Sequence, residues 1–131
     1  MTQTLEKTYT IEVPIKISGE TVSDILYGAL TQGNTYWLGE VKSTNTDDNI
    51  PYNEALLHGS ELLIEAPTTD DDSEYETYTL TMDKFLNGLK LYLQEGHKCI
   101  DIGEVDSCMI DSVDCDLILQ YALFNGEQIF G

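Results

Sequence analysis

The chain has 131 residues, 41% hydrophobic and 9% aromatic, enough to bury a core without disulfide or metal staples, so a single domain spanning 1–131 is expected. Twenty-four acids stand against six lysines and no arginine, a formal charge of −18. That balance opposes direct contact with nucleic-acid phosphates and with an anionic membrane surface.

The charge exceeds the magnitude of about 2 to 8 that keeps a small domain in solution, and self-repulsion opposes the compact state. A cationic partner, bound cations or saline surroundings is therefore expected to offset it. No stretch approaches the roughly 18 apolar residues of a membrane span. The opening MTQTLEKTYTIEV lacks the basic and apolar segments of a signal peptide, which points to a cytoplasmic location.

Residues 8–17, TYTIEVPIKI, alternate, with Tyr9, Ile11, Val13, Ile15 and Ile17 on one face. This predicts a half-buried strand, and Pro14 places it at a sheet edge. In residues 21–32, Val22, Ile25, Leu26, Ala29 and Leu30 recur at helical spacing, with Ser18 or Thr21 as cap and Gly33 after the end. Residues 35–44, TYWLGEVKST, predict a second strand. A turn of helix through NEALLHG ends at Gly59. SELLIEA at 60–66 and YETYTL at 75–80 predict a hairpin, with PTTDDDSE as its loop.

Thr81 caps the most regular helix, TMDKFLNGLKLYLQEG, whose apolar stripe is Phe85, Leu86, Leu89, Tyr92 and Leu93. Gly88 in mid-helix costs up to about 1 kcal/mol against Ala, so a close neighbour is expected there. After an irregular stretch, Asp111 or Ser112 caps VDCDLILQYALFNG, which closes at Asn125-Gly126. EQIF predicts a last short strand. The order implies an α+β fold: a mainly antiparallel sheet of four to five strands with about three helices packed on one side.

Catalytic signatures are absent from the sequence. His58 and His97 each sit beside a glycine with no partner in a recognisable pattern. No nucleotide loop, zinc-protease helix or nucleophile elbow occurs. Cys99, Cys108 and Cys115 have spacings that suit neither zinc nor a redox pair, so free thiols are expected. The windows from Asp101 and Asp111 fail the glycine and glutamate positions of a calcium loop. Tyr9, Trp37, Tyr92 and Tyr121 fall on apolar faces and read as core. Tyr36, Tyr75 and Tyr78 read as candidates for exposure. No enzyme activity, metal or cofactor is expected.

The acids cluster in DDDSEYE at 70–76 and in DIGEVDSCMIDSVDCD at 101–116. Carboxylates held on rigid elements can present a field like that of a phosphate backbone and compete for a basic groove, in a salt-dependent way. Asp70, Asp71, Asp72, Glu74, Glu76, Asp101, Glu104, Asp106, Asp111, Asp114 and Asp116 are the candidate contacts to a cationic protein partner. A homo-oligomeric assembly module and a protein that sequesters a small ligand are the competing expectations.

At TLTMDKFLNGLKLYLQEG and DCDLILQYALFNGEQIFG the chain resembles small, acidic, mostly uncharacterised proteins of Firmicutes phages and mobile elements. These pair a KFLNG-type helix with a QYALFGE-like ending, in which Asn125 looks inserted. The resemblance runs from ILYGALTQGNTYWLGEV onward and carries no catalytic signature. It implies inhibition of a host defence nuclease, of the anti-CRISPR or anti-restriction kind, in the bacterial cytoplasm.

Overall fold

The computed structural model describes residues 17–31, 37–47, 49–67, 74–96 and 110–130. The fold is α+β. Its elements run α1 (Gly19–Thr31), β1 (Val41–Ser43), a 3-10 helix (Tyr52–His58), β2 (Leu62–Pro67), β3 (Tyr75–Leu80), α2 (Met82–Gly96) and α3 (Ser112–Leu123). The strands form an antiparallel sheet in the order β1-β2-β3.

α1 begins two residues earlier than the apolar spacing alone indicates. Ser18 is the residue that caps it: its Oγ accepts from the Thr21 N–H at 3.2 Å. Val22, Ile25, Leu26 and Ala29 are buried along one stripe.

The hairpin forms as the alternation predicts. Leu62 pairs with Leu80 and Ile64 with Tyr78. Leu62, Ile64, Ala66 and Leu80 are fully buried, so the sheet turns one face inward and the period-2 pattern sets the register. The loop at 68–73 lies outside the described residues, as does 8–16 of the first expected strand.

The strand expected at 35–44 is shortened to three residues. Both Gly39 and Glu40 lie opposite Glu65: the Gly39 N–H donates to the Glu65 carbonyl at 2.8 Å, and the Glu65 N–H donates to the Glu40 carbonyl at 3.0 Å. Two residues opposing one is a bulge, and it ends the regular ladder. A Cβ at Gly39 would stand 2.9 Å from that of Glu65, so the approach requires glycine. The strand expected at EQIF is absent too: Glu127–Phe130 has no ladder partner among the described residues and is held by a side chain instead.

α2 follows its predicted face except at one position. Phe85, Leu89, Tyr92 and Leu93 are buried, while Leu86 is 38% exposed. Thr81 Oγ1 accepts from the Lys84 N–H at 3.2 Å and caps the helix. Gly88 abuts the backbone of Ala122, the close neighbour that the mid-helix glycine required.

α3 is the central element. It packs against α1, α2 and β3. Cys115, Ile118, Leu119, Gln120, Tyr121 and Ala122 are all buried, so it is covered nearly all round, as a helix apolar on every side must be. The helices are therefore not a plain layer on the sheet: α1 and α2 flank α3, which with the 3-10 helix meets the strands. The end of α3 is also set by sequence. Asn125 has φ 57 and Gly126 has φ 88, and the Gly126 N–H donates to the Tyr121 carbonyl at 2.9 Å, the long bond of a Schellman stop. Asn125, which looked inserted, occupies the left-handed position of that stop.

Candidate functional site

Six of the eleven candidate acids, Asp70, Asp71, Asp72, Asp101, Glu104 and Asp106, lie outside the described residues. The other five fall into two groups with different surroundings. Glu74 and Glu76 lie just before and at the start of β3 and are exposed. Glu76 accepts from the Tyr78 hydroxyl at 3.4 Å. Burial raises the Tyr78 pKa above its ordinary value, and the Glu76 charge and hydrogen bond add to that rise.

Asp111, Asp114 and Asp116 start α3, and each is engaged within the chain. Asp111 is the N-cap: its Oδ1 accepts from the Asp114 N–H at 2.9 Å, while Asp114 Oδ2 accepts from the Asp111 N–H at 3.2 Å. This is a reciprocal capping box, with aspartate in place of the usual glutamate. Asp114 Oδ1 also accepts from the Tyr92 hydroxyl at 2.6 Å, which ties α3 to α2. Asp116 turns inward: its Oδ1 accepts from Trp37 Nε1 at 2.8 Å and from Gln120 Nε2 at 3.3 Å. Burial pushes its pKa up, partly offset by these two donors.

Behind Asp116 lies a connected polar and aromatic set. Gln120 is fully buried; its Oε1 accepts from the Ile129 and Phe130 N–H groups at 2.9 and 2.8 Å, and its Nε2 donates to the Phe130 carbonyl at 2.9 Å. Phe130 stacks on Trp37 with ring centres 5.2 Å apart, and Phe124 packs between Trp37 and Tyr78. Every buried side-chain polar atom among the described residues has a partner. A lone glutamine within the apolar run LILQYAL was the available sequence signal for this hub.

Lysines do little to neutralise the described surface. Lys42 pairs with Glu40 at 3.8 Å, an exposed contact between neighbours on one strand. Lys84 Nζ donates to the Thr79 carbonyl at 3.0 Å. Glu20, Asp24, Asp47, Glu61, Glu74, Asp83 and Glu127 are exposed. No group of His, Cys, Asp and Glu with metal-holding geometry occurs among the described residues, and no helix among them is long and apolar enough to cross a membrane.

Of the aromatics expected in the core, Trp37, Tyr92 and Tyr121 are buried; of those expected at the surface, Tyr75 is exposed and Tyr78 half-buried, while Tyr9 and Tyr36 lie outside the described residues. Tyr27 and Tyr52, which carry no motif in the sequence, are 51% and 47% exposed. Tyr27 falls off the apolar stripe of its helix, a signal that was available. The chain matches no protein-family model, no curated protein and no solved structure.

Proposed function

We propose that this protein is a non-enzymatic acidic inhibitor that binds a cationic surface on a protein partner. In its most concrete form it occupies the nucleic-acid groove of a bacterial defence nuclease, of Cas or restriction type, in the host cytoplasm. The observation that carries the reading is the charge of −18, together with exposed carboxylates among the described residues that the described lysines leave largely unopposed. Such a surface gains from steering and counterion release when it meets a basic groove.

Of the five described candidates, Glu74 and Glu76 are exposed and lie outside the capping network of α3. Asp70–Asp72, Asp101, Glu104 and Asp106 remain candidates. Asp111, Asp114 and Asp116 contribute field from positions fixed by α3, with Asp116 the least accessible to a partner.

Displacement of labelled duplex DNA from a panel of defence nucleases, read by anisotropy at several salt concentrations, tests the reading. Displacement that weakens steeply with salt, and that drops at least tenfold when Asp71, Asp72 and Glu74 are all changed to Lys, is the expected result. DNA left bound by every nuclease at low salt would rule out the mimic. Displacement indifferent to the triple change would move the contact elsewhere.

A further inference from the structure

The last turns of α1, strand β1, Asn45, Asp47 and residues 50–53 enclose an open groove of about 780 Å³, within the size range of binding sites. Tyr27 of α1 and Tyr52 of the 3-10 helix line it, both about half exposed, over an apolar floor of Leu30, Val41 and Ile50.

One wall is the outer side of β1, which among the described residues pairs with β2 alone. Glu40 and Thr44 exchange main-chain bonds with β2, at 3.0 Å to Glu65 and 3.0 Å to Glu61. Because the antiparallel ladder alternates, the N–H and C=O groups of Val41 and Ser43 point away from β2, toward the groove. A row of open main-chain groups beside apolar surface is a template for an added strand.

The electrostatics select the occupant. Asp47 lines the groove. Glu20, Asp24, Tyr27 and Thr31 share one exposed face of α1, so two carboxylates continue the line of Tyr27. Lys42 is the one cation among the described lining residues, and its ammonium lies 3.8 Å from the Glu40 carboxylate, which balances it locally. A second copy of the chain would bring another −18 charge to the same place. A small molecule would leave the main-chain row unsatisfied.

We infer that this groove binds an extended, arginine- or lysine-bearing segment of the partner, which adds as a strand to β1 while its cationic side chains lie on Tyr27 and Tyr52. The inference rests on the cationic-partner reading above and gives it a site separate from Glu74 and Glu76. Arginine over a tyrosine face is favourable, the more so where water is excluded.

The test is titration of the full chain with a ten-residue peptide alternating arginine and valine, followed by amide NMR, beside peptides with threonine or glutamate in place of arginine. The arginine peptide is expected to shift the amides of Val41–Ser43 and the signals of Tyr27 and Tyr52. The threonine peptide should bind at least tenfold more weakly and the glutamate peptide not at all. Tyr27→Ala and Tyr52→Ala should each weaken binding about fivefold, with circular dichroism unchanged because both rings are half exposed. Ser43→Pro, which removes one open N–H at an edge where proline is tolerated, should weaken it more.

Shifts confined to β3, with both tyrosine variants binding normally, overturn the inference and leave the cationic-partner reading standing. No binding of the arginine peptide at low salt, or equal binding of the threonine peptide, also overturns it, while nuclease displacement judges the wider reading independently. A mass of two chains by light scattering, reduced to one by the paired tyrosine variants, would assign the groove to a second copy instead.

Discussion

Gly88 of α2 and Ala122 of α3 meet backbone to backbone: a Cβ on Gly88 would stand 2.5 Å from the Ala122 nitrogen and 2.6 Å from its Cα. Neither atom belongs to a flexible side chain that could swing aside. The central helix is therefore seated by the absence of a single methyl group.

Gly88→Ala is expected to destabilise the protein despite removing a helix-interior glycine. The propensity gain is about 1 kcal/mol, whereas overpacking a backbone contact costs about 1–3 kcal/mol and occasionally more. Urea unfolding should show a net loss of up to about 2 kcal/mol. A gain would mean that the two helices separate freely.

Asp116 should show the reverse of ordinary carboxylate behaviour. Its folded pKa is raised by burial, so the folded state holds the proton more tightly than the unfolded chain. Its contribution is then most favourable below the unfolded value near 3.8 and is lost as pH rises through the folded value. Asp116→Asn keeps an oxygen to accept from Trp37 and Gln120 without the charge. At pH 7 it should match or exceed the parent in stability, and the difference between the two should shrink toward pH 3. Asp116→Leu removes both acceptances and should cost about 1–3 kcal/mol. Paired urea curves across pH 3–7 measure this.

The Tyr121 hydroxyl donates to Glu95 at 2.6 Å, and that bond, with burial and the Glu95 charge, pushes its pKa up to about 12. The unfolded chain loses this proton near pH 10, before the folded state does. Stability should therefore fall as pH rises from about 10 toward 12. Tyr121→Phe should cost about 1 kcal/mol at pH 7 and flatten that alkaline decline relative to the parent.

Gln120→Leu keeps apolar bulk but leaves the Ile129 and Phe130 N–H groups without their acceptor, while the Phe130 carbonyl keeps only the Gln128 Nε2 donor at 3.3 Å. A loss of about 3 kcal/mol is expected, since each buried unpaired group costs about 1–3 kcal/mol unless water reaches it. Trp37, on which Phe130 stacks, reports the change: its emission should move to longer wavelength in the folded variant.

Local chemistry was readable where it acts over a few residues. The hairpin followed from the two strand-like runs SELLIEA and YETYTL on either side of a polar loop. Thr81 and Asp111 announced their helices, and Gly88 announced a close neighbour. The course of β1 was not readable, because the bulge at Gly39 depends on Glu65 across the sheet. Nor was the centrality of α3, since a short apolar helix can be flanked on one side or on all. At the candidate site, negative charge at the start of α3 was legible through the helix dipole. The inward turn of Asp116 was not, because its partner Trp37 lies 79 residues away and no periodicity encodes that distance. Tyr27 and Tyr52 were passed over because a groove is a property of three elements together.

The placement of α3 has a consequence for synthesis. The element that α1, α2 and β3 all pack against is the last helix of the described chain to leave the ribosome. The earlier elements emerge with their apolar faces uncovered and gain their common neighbour only when residues 112–123 arrive. Folding should therefore await residues 112–123 and be all-or-none, with many long-range contacts formed late. During that interval the dense negative charge would keep nascent chains apart.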